Sequence, residues 1–460
     1  MNTSIIVGLV LVVIIVLLLA TNKKLRETIK NIYKIEELRK RILFTLSLLL
    51  IYRLGSFVTL PGVDHAILEE ATKNFASDGS LLGLLNVFSG GAFAQASIFA
   101  LGVMPYITAS IIIQLLGIMV PYFRKMQREG ESGRRRMNQW TRFLTIVVLL
   151  LQGPAYLYSQ VLNWGAVSPA CSGDLLGIPQ GQFIVPAVTI LIAGTMFIMW
   201  LGEKITDKGI GNGISLIIMI GIVARLPQAF MAELGAQMDG GWGIIAFIVE
   251  LIFLALVFML AIAIVQAVRR IPVQYAKRIV GNKQYGGVRQ YIPLKLNAAN
   301  VMPIIFAQAL MFIPGLIWPN SATWTDISSF WYNFTLVVLV VAFTYFYTAI
   351  IVNPQMMADD MKRNGGFIPG VKPGKSTVKY IDDVMTRITL PGSIFLALIT
   401  VLPAVAMTLG IQQSFAYFFG GTSLLIMVGV VLDTLKQIES YLLMRHYDGL
   451  MKTGRIQGRY

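Results

Sequence analysis

The sequence predicts an all-α polytopic membrane protein: ten transmembrane helices in two inverted halves of five, plus an extra apolar helix at the N-terminus. Three observations carry this. The 460 residues are 56% hydrophobic and only 13% charged, a balance foreign to soluble domains of this length. Apolar runs long enough to cross a bilayer, which takes about 20 residues, recur along the chain. Lys and Arg crowd into alternate loops, about 35 of the 38 on one side, and the positive-inside rule makes that side cytoplasmic.

Residues 1–22 contain the uncharged run IIVGLVLVVIIVLLLA, preceded by no Lys or Arg and followed by Lys23, Lys24 and Arg26. A secretory signal peptide carries its positive charge ahead of its apolar core, so this order fits a short span with its N-terminus outside. Residues 23–41 hold eight Lys/Arg and three Glu. Their apolar members Leu25, Ile29, Ile32, Ile35 and Leu38 recur at spacings of three and four. That pattern predicts a basic amphipathic helix lying on an anionic membrane surface.

Ten spans follow, at 42–60, 97–120, 143–162, 183–201, 212–227, 242–268, 298–318, 331–352, 388–409 and 419–435. The first half is 42–230, the second 242–435, and 436–460 is a cytoplasmic tail. Five spans per half turn the second half upside down relative to the first by parity alone, since the two halves show no clear sequence self-similarity. Such a repeat puts a functional site between the halves near the midplane.

One stretch departs from simple spans. Residues 81–93 are half apolar, too short to cross, and broken by Ser89-Gly90-Gly91 just ahead of the run 97–119. A short re-entrant piece is tolerated only inside protein or beside a water-filled cavity. The expectation is a stub folded into the interior; the alternative is an outer loop with an interfacial helix.

The loops fix orientation. Loop 121–142 has seven Lys/Arg against two Glu, loop 269–296 seven and no acid, and loop 353–387 six against four acids. The alternate loops are acidic or nearly uncharged: 61–80 has one Lys and four acids. The net charge of +15 is therefore a topology signal, although basic loops also suit a phosphate-rich partner such as ribosomal RNA. Cys171 is the single cysteine, and His65 and His446 stand alone, so neither an intrachain disulfide nor a His-rich metal site is expected.

Two glycine motifs fail as nucleotide sites. PGVKPGKS at 369–376 has Pro369 where a P-loop needs Gly, and GIGNGIS at 209–215 follows no βαβ unit. The chain thus brings no ATPase and reads as a non-enzyme with no cofactor. The ionisable residues noted within spans are Arg53, Glu250 and Asp433. They form no acid pair of the kind a proton-coupled transporter uses. That favours a passive conduit, which an apolar constriction can seal by excluding water.

The runs NVFSGGAFAQASIFALGVMPYITASIIIQLL, GTMFIMWLGEKITDKGIGNGIS, QYAKR, PLKLN and YFFGGTSLLIMV closely resemble the SecY/Sec61-alpha family of protein-translocation channels. The resemblance covers residues 24–460 and leaves out 1–22. It implies the central pore-forming subunit of a bacterial inner-membrane translocon. That subunit passes unfolded secretory proteins across and releases transmembrane segments sideways into lipid.

By motif position the resemblance implies an apolar pore ring at Val103, Ile107, Ile214, Ile218, Ile305 and Ile426. It makes 81–93 a plug hinged at Ser89, Gly90 and Gly91, and sets a lateral gate between the helices at 97–120 and 298–318. Lys277, Arg278 and Lys372 would serve docking of the SecA ATPase or the ribosome. Lys372 and Gln355 replace arginines common in the family, and lysine does not reproduce a bidentate contact. SecE and SecG are implied as small membrane subunits, SecDF and YidC as further partners, beside membrane lipids and the secretory and membrane protein substrates. Two other functions compete: a secondary solute transporter and a membrane assembly factor without conduction.

Overall fold

The computed structural model describes residues 35–64, 67–68, 81–163, 165–167, 173, 180–239, 243–275, 278–280, 283–285, 289–317 and 326–452. The N-terminal segment 1–22, most of the basic stretch 23–41, His65, Cys171 and Lys277 lie outside them. The chain divides into two compact units. One takes residues up to Phe247 with Gln412–Phe415 and Val430 onward; the other takes Ile248–Ile411 with Ala416–Gly429.

The first unit contains α1 (Glu36–Gly55), α2 (Leu81–Phe88), α3 (Met104–Met119), α4 (Pro121–Arg128), α5 (Glu131–Leu157), α6 (Gly181–Lys208) and α7 (Gly213–Asp239). Helix α1 opens with Glu36 and Glu37, where the helix dipole favours acids. They pair with Lys40 at 2.9 Å and Arg41 at 3.5 Å, one turn on. Leu38, Leu48, Leu49 and Tyr52 bury one stripe against α6 and α7, while Leu43, Leu46, Leu50 and Leu54 stay exposed. A helix apolar on its outward face suits hydrocarbon.

Helix α3 starts at Met104, later than the span expected from Ser97. Residues 89–103 are turns instead: Ala96 and Gly102 adopt φ of 44° and 53°, and Pro105 then fits the first helical turn. The turns are pinned from outside. Leu60 N donates to Ala96 O at 2.9 Å, Ile98 N to Val58 O at 2.8 Å, and the Tyr156 hydroxyl to Phe93 O at 2.7 Å. They pack into a core with Leu60, Leu157, Phe183, Ile184 and Leu191. After α3 the chain turns by 100° at Val120-Pro121 into α4.

The GIGNGIS run forms the corner between α6 and α7. A Cβ at Gly213 would lie 1.9 Å from Gly202 O. Gly213 N donates to Thr206 Oγ1 at 2.9 Å, Ile210 N to Thr45 Oγ1 at 3.1 Å, and Gly211 N to Gln437 Oε1 at 2.8 Å. These glycines serve close packing of two helices. Helix α7 then runs through Pro227 to Asp239, well past the span end expected at 227.

The second unit holds most of α8 (Gly243–Gln266), then β1 (Val268–Tyr275), β2 (Arg278–Val280), β3 (Lys283–Tyr285) and β4 (Arg289–Lys295). It continues with α9 (Met302–Ile317), α10 (Phe330–Ile351), α11 (Pro354–Arg363), β5 (Gly366–Phe367) and α12 (Lys375–Thr408). After the short α13 (Gln413–Ala416), α14 (Gly421–Lys452) begins in this unit and ends in the first. Helix α10 stops at Val352; Asn353 caps α11, its side chain accepting from the N–H groups of Gln355 and Met356.

The expectation of an all-α chain is corrected here. The two basic loops 269–296 and 353–387 build a three-stranded antiparallel sheet in the order β4-β1-β5, beside a β2–β3 hairpin. Ile271, Val273 and Leu294 bury one sheet face against Met361, Ile368, Ile381 and Met385 of α11, the following turn and α12. Strand β1 alternates between buried Ile271 and Val273 and exposed Arg270 and Pro272, the period of a half-buried strand. Helix α12 therefore begins at Lys375, in this module, long before the span expected from 388.

Among the described residues seven helices are long and apolar enough to cross a membrane, or eight if α3 and α4 count as one bent span. The molecule is mostly helical.

Candidate plug and pore site

The site grows from the eight-residue helix α2. It ends at Phe88 because Gly90 and Gly91 follow with φ of +65° and +96°, a region closed to most residues. Gly91 N donates to Asn86 O at 2.9 Å and Gly90 N to Val87 O at 3.1 Å, satisfying two carbonyls at the helix end. The Ser89 hydroxyl oxygen accepts from Phe93 N at 3.0 Å, and Asn86 Oδ1 accepts from Ala94 N at 3.2 Å. Ser89, Gly90 and Gly91 are all buried.

Helices α1 and α7 hold this turn. A Cβ on Gly90 would lie 3.0 Å from the Gly221 backbone of α7, and one on Gly221 would lie 2.7 Å from Phe88 O. Two half-buried guanidinium groups face the same turn. Arg53 of α1 donates to Gly90 O at 2.9 Å and lies over the Phe57 ring at 4.6 Å. Arg225 of α7 donates to Asn86 Oδ1 at 3.4 Å and to Gln228 Oε1 at 3.0 Å. A Cβ on Gly91 would fall 2.1 Å from Arg225 Nη2.

Four of the ring candidates belong to the first unit. Val103 is buried just before α3, and Ile107 is half-buried in its first turn. Ile214 and Ile218 stand one turn apart on α7, both half-buried, with Ile214 Cγ1 packed toward Gly202. The other two belong to the second unit: Ile305, half-buried on α9, and Ile426, buried on α14.

Of the docking candidates, Lys372 is exposed in the turn before α12, its carbonyl accepting from the Thr377 hydroxyl at 3.0 Å. Arg278 pairs through its backbone with Tyr285 in the β2–β3 hairpin. Arg269, Arg270, Lys295, Lys362, Arg363 and Gln355 are exposed on the same β/α module.

A family model described as SecY matches residues 97–435. The chain is 44% identical over 447 residues to the protein translocase subunit SecY of Streptomyces scabiei, covering 91% of this chain and 98% of that one. It is 40% identical over 456 residues to the same-named subunit of Chlamydia trachomatis, covering 94% and 99%. The chain belongs to the SecY family. Two solved structures share the fold. One is a SecY whose plug domain is described as stabilising the closed state of the translocation channel, with TM-score 0.57 and 19% identity over 87% of this chain and 91% of that one. The other is Sec61 in a canine ribosome–channel complex, with TM-score 0.55 and 17% identity over 87% and 91%. With its long apolar helices, this SecY family member is a multi-pass membrane protein.

Sequence reasoning missed four side chains or backbones that matter here. Arg225 lies inside an expected span, as do Arg53, Glu250 and Asp433; a scan for lone charges in apolar runs finds it. Asn86 and Gly221 carried no signal, since their roles come from contacts across the fold. Glu233 is fully buried; its carboxylate accepts from Gln412 N at 2.8 Å and Gln237 Nε2 at 3.0 Å. It was overlooked because α7 was expected to end before it.

Proposed function

We propose that this chain is the pore-forming subunit of a bacterial inner-membrane protein translocase, with its C-terminus in the cytoplasm. It passes unfolded secretory chains outward and releases apolar segments sideways into lipid. The observation that carries this reading is the seat of the 89–91 turn. A helix too short to cross a membrane is packed by its glycines onto the backbone of a membrane helix, at a site lined by two arginines. Such a stub fits a plug that stops a resting conduit.

In this proposal the spans number ten in two inverted halves, with 1–22 an added helix. Val103, Ile107, Ile214, Ile218, Ile305 and Ile426 form the apolar seal, and α3 and α9 flank the lateral exit. A segment of about 20 apolar residues leaves an aqueous path for hydrocarbon because its transfer is favourable. Membrane lipids receive it. The chain is not an enzyme; the driving work comes from SecA or a translating ribosome on the basic module around Lys277, Arg278 and Lys372. SecE and SecG complete the complex, with SecDF and YidC as accessory partners.

The test is a photo-crosslinker at Ile107 and at Ile305 with a secretory precursor jammed halfway. Adducts at both positions are the expected result. A precursor stalled at this protein with no adduct at either position overturns the ring assignment.

A further inference from the structure

Charges inside apolar helices are costly and mark function when their partners are specific. Arg53 and Arg225 come from different helices and face one turn. Their acceptors there are neutral: the Gly90 carbonyl and the Asn86 side-chain amide oxygen. The turn caps the C-terminal end of α2, where the helix dipole favours cations. A side chain at Gly91 would have to displace the Arg225 guanidinium, which fills that space.

The helix that supplies the seat supplies more. Ile214, Ile218, Gly221 and Arg225 follow each other on α7 at spacings of four, three and four, so they share one face. The stripe bearing two ring candidates therefore runs on into the glycine seat and then into the arginine. A chain displacing the turn from Gly221 also strips Arg225 of its contact.

We propose that Arg53 and Arg225 form a two-guanidinium latch that holds the glycine turn, and with it α2, against α7, and that opening requires both to release. The proposal rests on reading 81–93 as the plug. Neutral acceptors make the latch reversible, because release leaves no carboxylate stranded in a partly dry site. Planar, multidentate guanidinium groups suit it because each can bond the turn while keeping a second contact, Ser56 Oγ for Arg53 and Gln228 Oε1 for Arg225.

The test uses the purified translocase complex in planar bilayers, reading the concentration of a synthetic signal peptide that gives half-maximal conductance. Arg53→Ala and Arg225→Ala are each expected to lower that concentration about tenfold, the scale of one charged hydrogen bond. Arg225→Lys should fall between. Asn86→Asp, which puts a carboxylate against Arg225, should raise it several-fold, and only while Arg225 is present. A purely structural role for Asn86 would not give that sign.

Deleting 81–93 separates the two readings. If the deletion leaves resting conductance unchanged, the plug reading falls and the latch with it. If the deletion opens the channel but the arginine substitutions still act in the deleted background, the latch is overturned while the plug stands. If Asn86→Asp fails to tighten the intact channel, the latch is likewise overturned.

Discussion

Gly90 and Gly91 are glycines for two separate reasons that act together. Each adopts a positive φ, and each has a close neighbour at its Cβ position: the Gly221 backbone at 3.0 Å in one case and the end of the Arg225 side chain in the other. Gly213 is glycine for proximity alone, with the Gly202 carbonyl in its way. Gly213→Ala must push α7 off α6, and the expected result is loss of folded protein, measured as membrane accumulation and detergent-resistant thermal stability. At Ile107 and Ile214 the expectation concerns sealing. Asparagine at both positions should wet the constriction and raise resting ion leakage in reconstituted vesicles; unchanged leakage would favour an assembly factor without conduction.

At the scale of elements, the turn segment 89–103 and the β/α module each depend on a small number of buried contacts. The Tyr156 hydroxyl supports the Phe93 carbonyl from α5, with the two rings 4.8 Å apart. Tyr156→Phe removes that donor inside a buried cluster and should cost about 1 kcal/mol, seen as a lower unfolding temperature of the purified protein. In the module, Ile381 is fully buried under β1 and β4. Ile381→Ala should cost about 2–4 kcal/mol and expose the 353–387 region to limited proteolysis, with α10 unaffected. The sheet was legible in principle. Ile271 and Val273, then Ile292 and Leu294, alternate with polar residues or proline at period two, but the density of Lys and Arg drew them into a loop reading.

At the scale of the whole molecule, charge asymmetry sets the expected topology. A membrane-impermeant maleimide should label Cys171 from the outer face only, and Lys372→Cys from the cytoplasmic face only. Labelling of both from one side would overturn the orientation. The family match runs across residues drawn from both compact units. The chain passes between the units inside α8, on either side of Gln412–Phe415 and inside α14. Composition marks where the chain leaves apolar surroundings.

The sequence by itself determined the class of environment and the series of apolar helices, and its charge asymmetry sets the expected side of the basic loops. Hydrophobicity and charge act through solvent partition, a property each segment carries alone. It also pointed to the short segment ending at Ser89-Gly90-Gly91, because two adjacent glycines readily take the backbone angles that end a helix. Only the tertiary structure decided what touches that turn. The Gly221 seat, the convergence of Arg53 and Arg225, the burial of Glu233 and the late start of α3 all arise from close approaches between segments distant in sequence. Local periodicity carries no record of such approaches, since a contact belongs to a pair of elements and to neither alone.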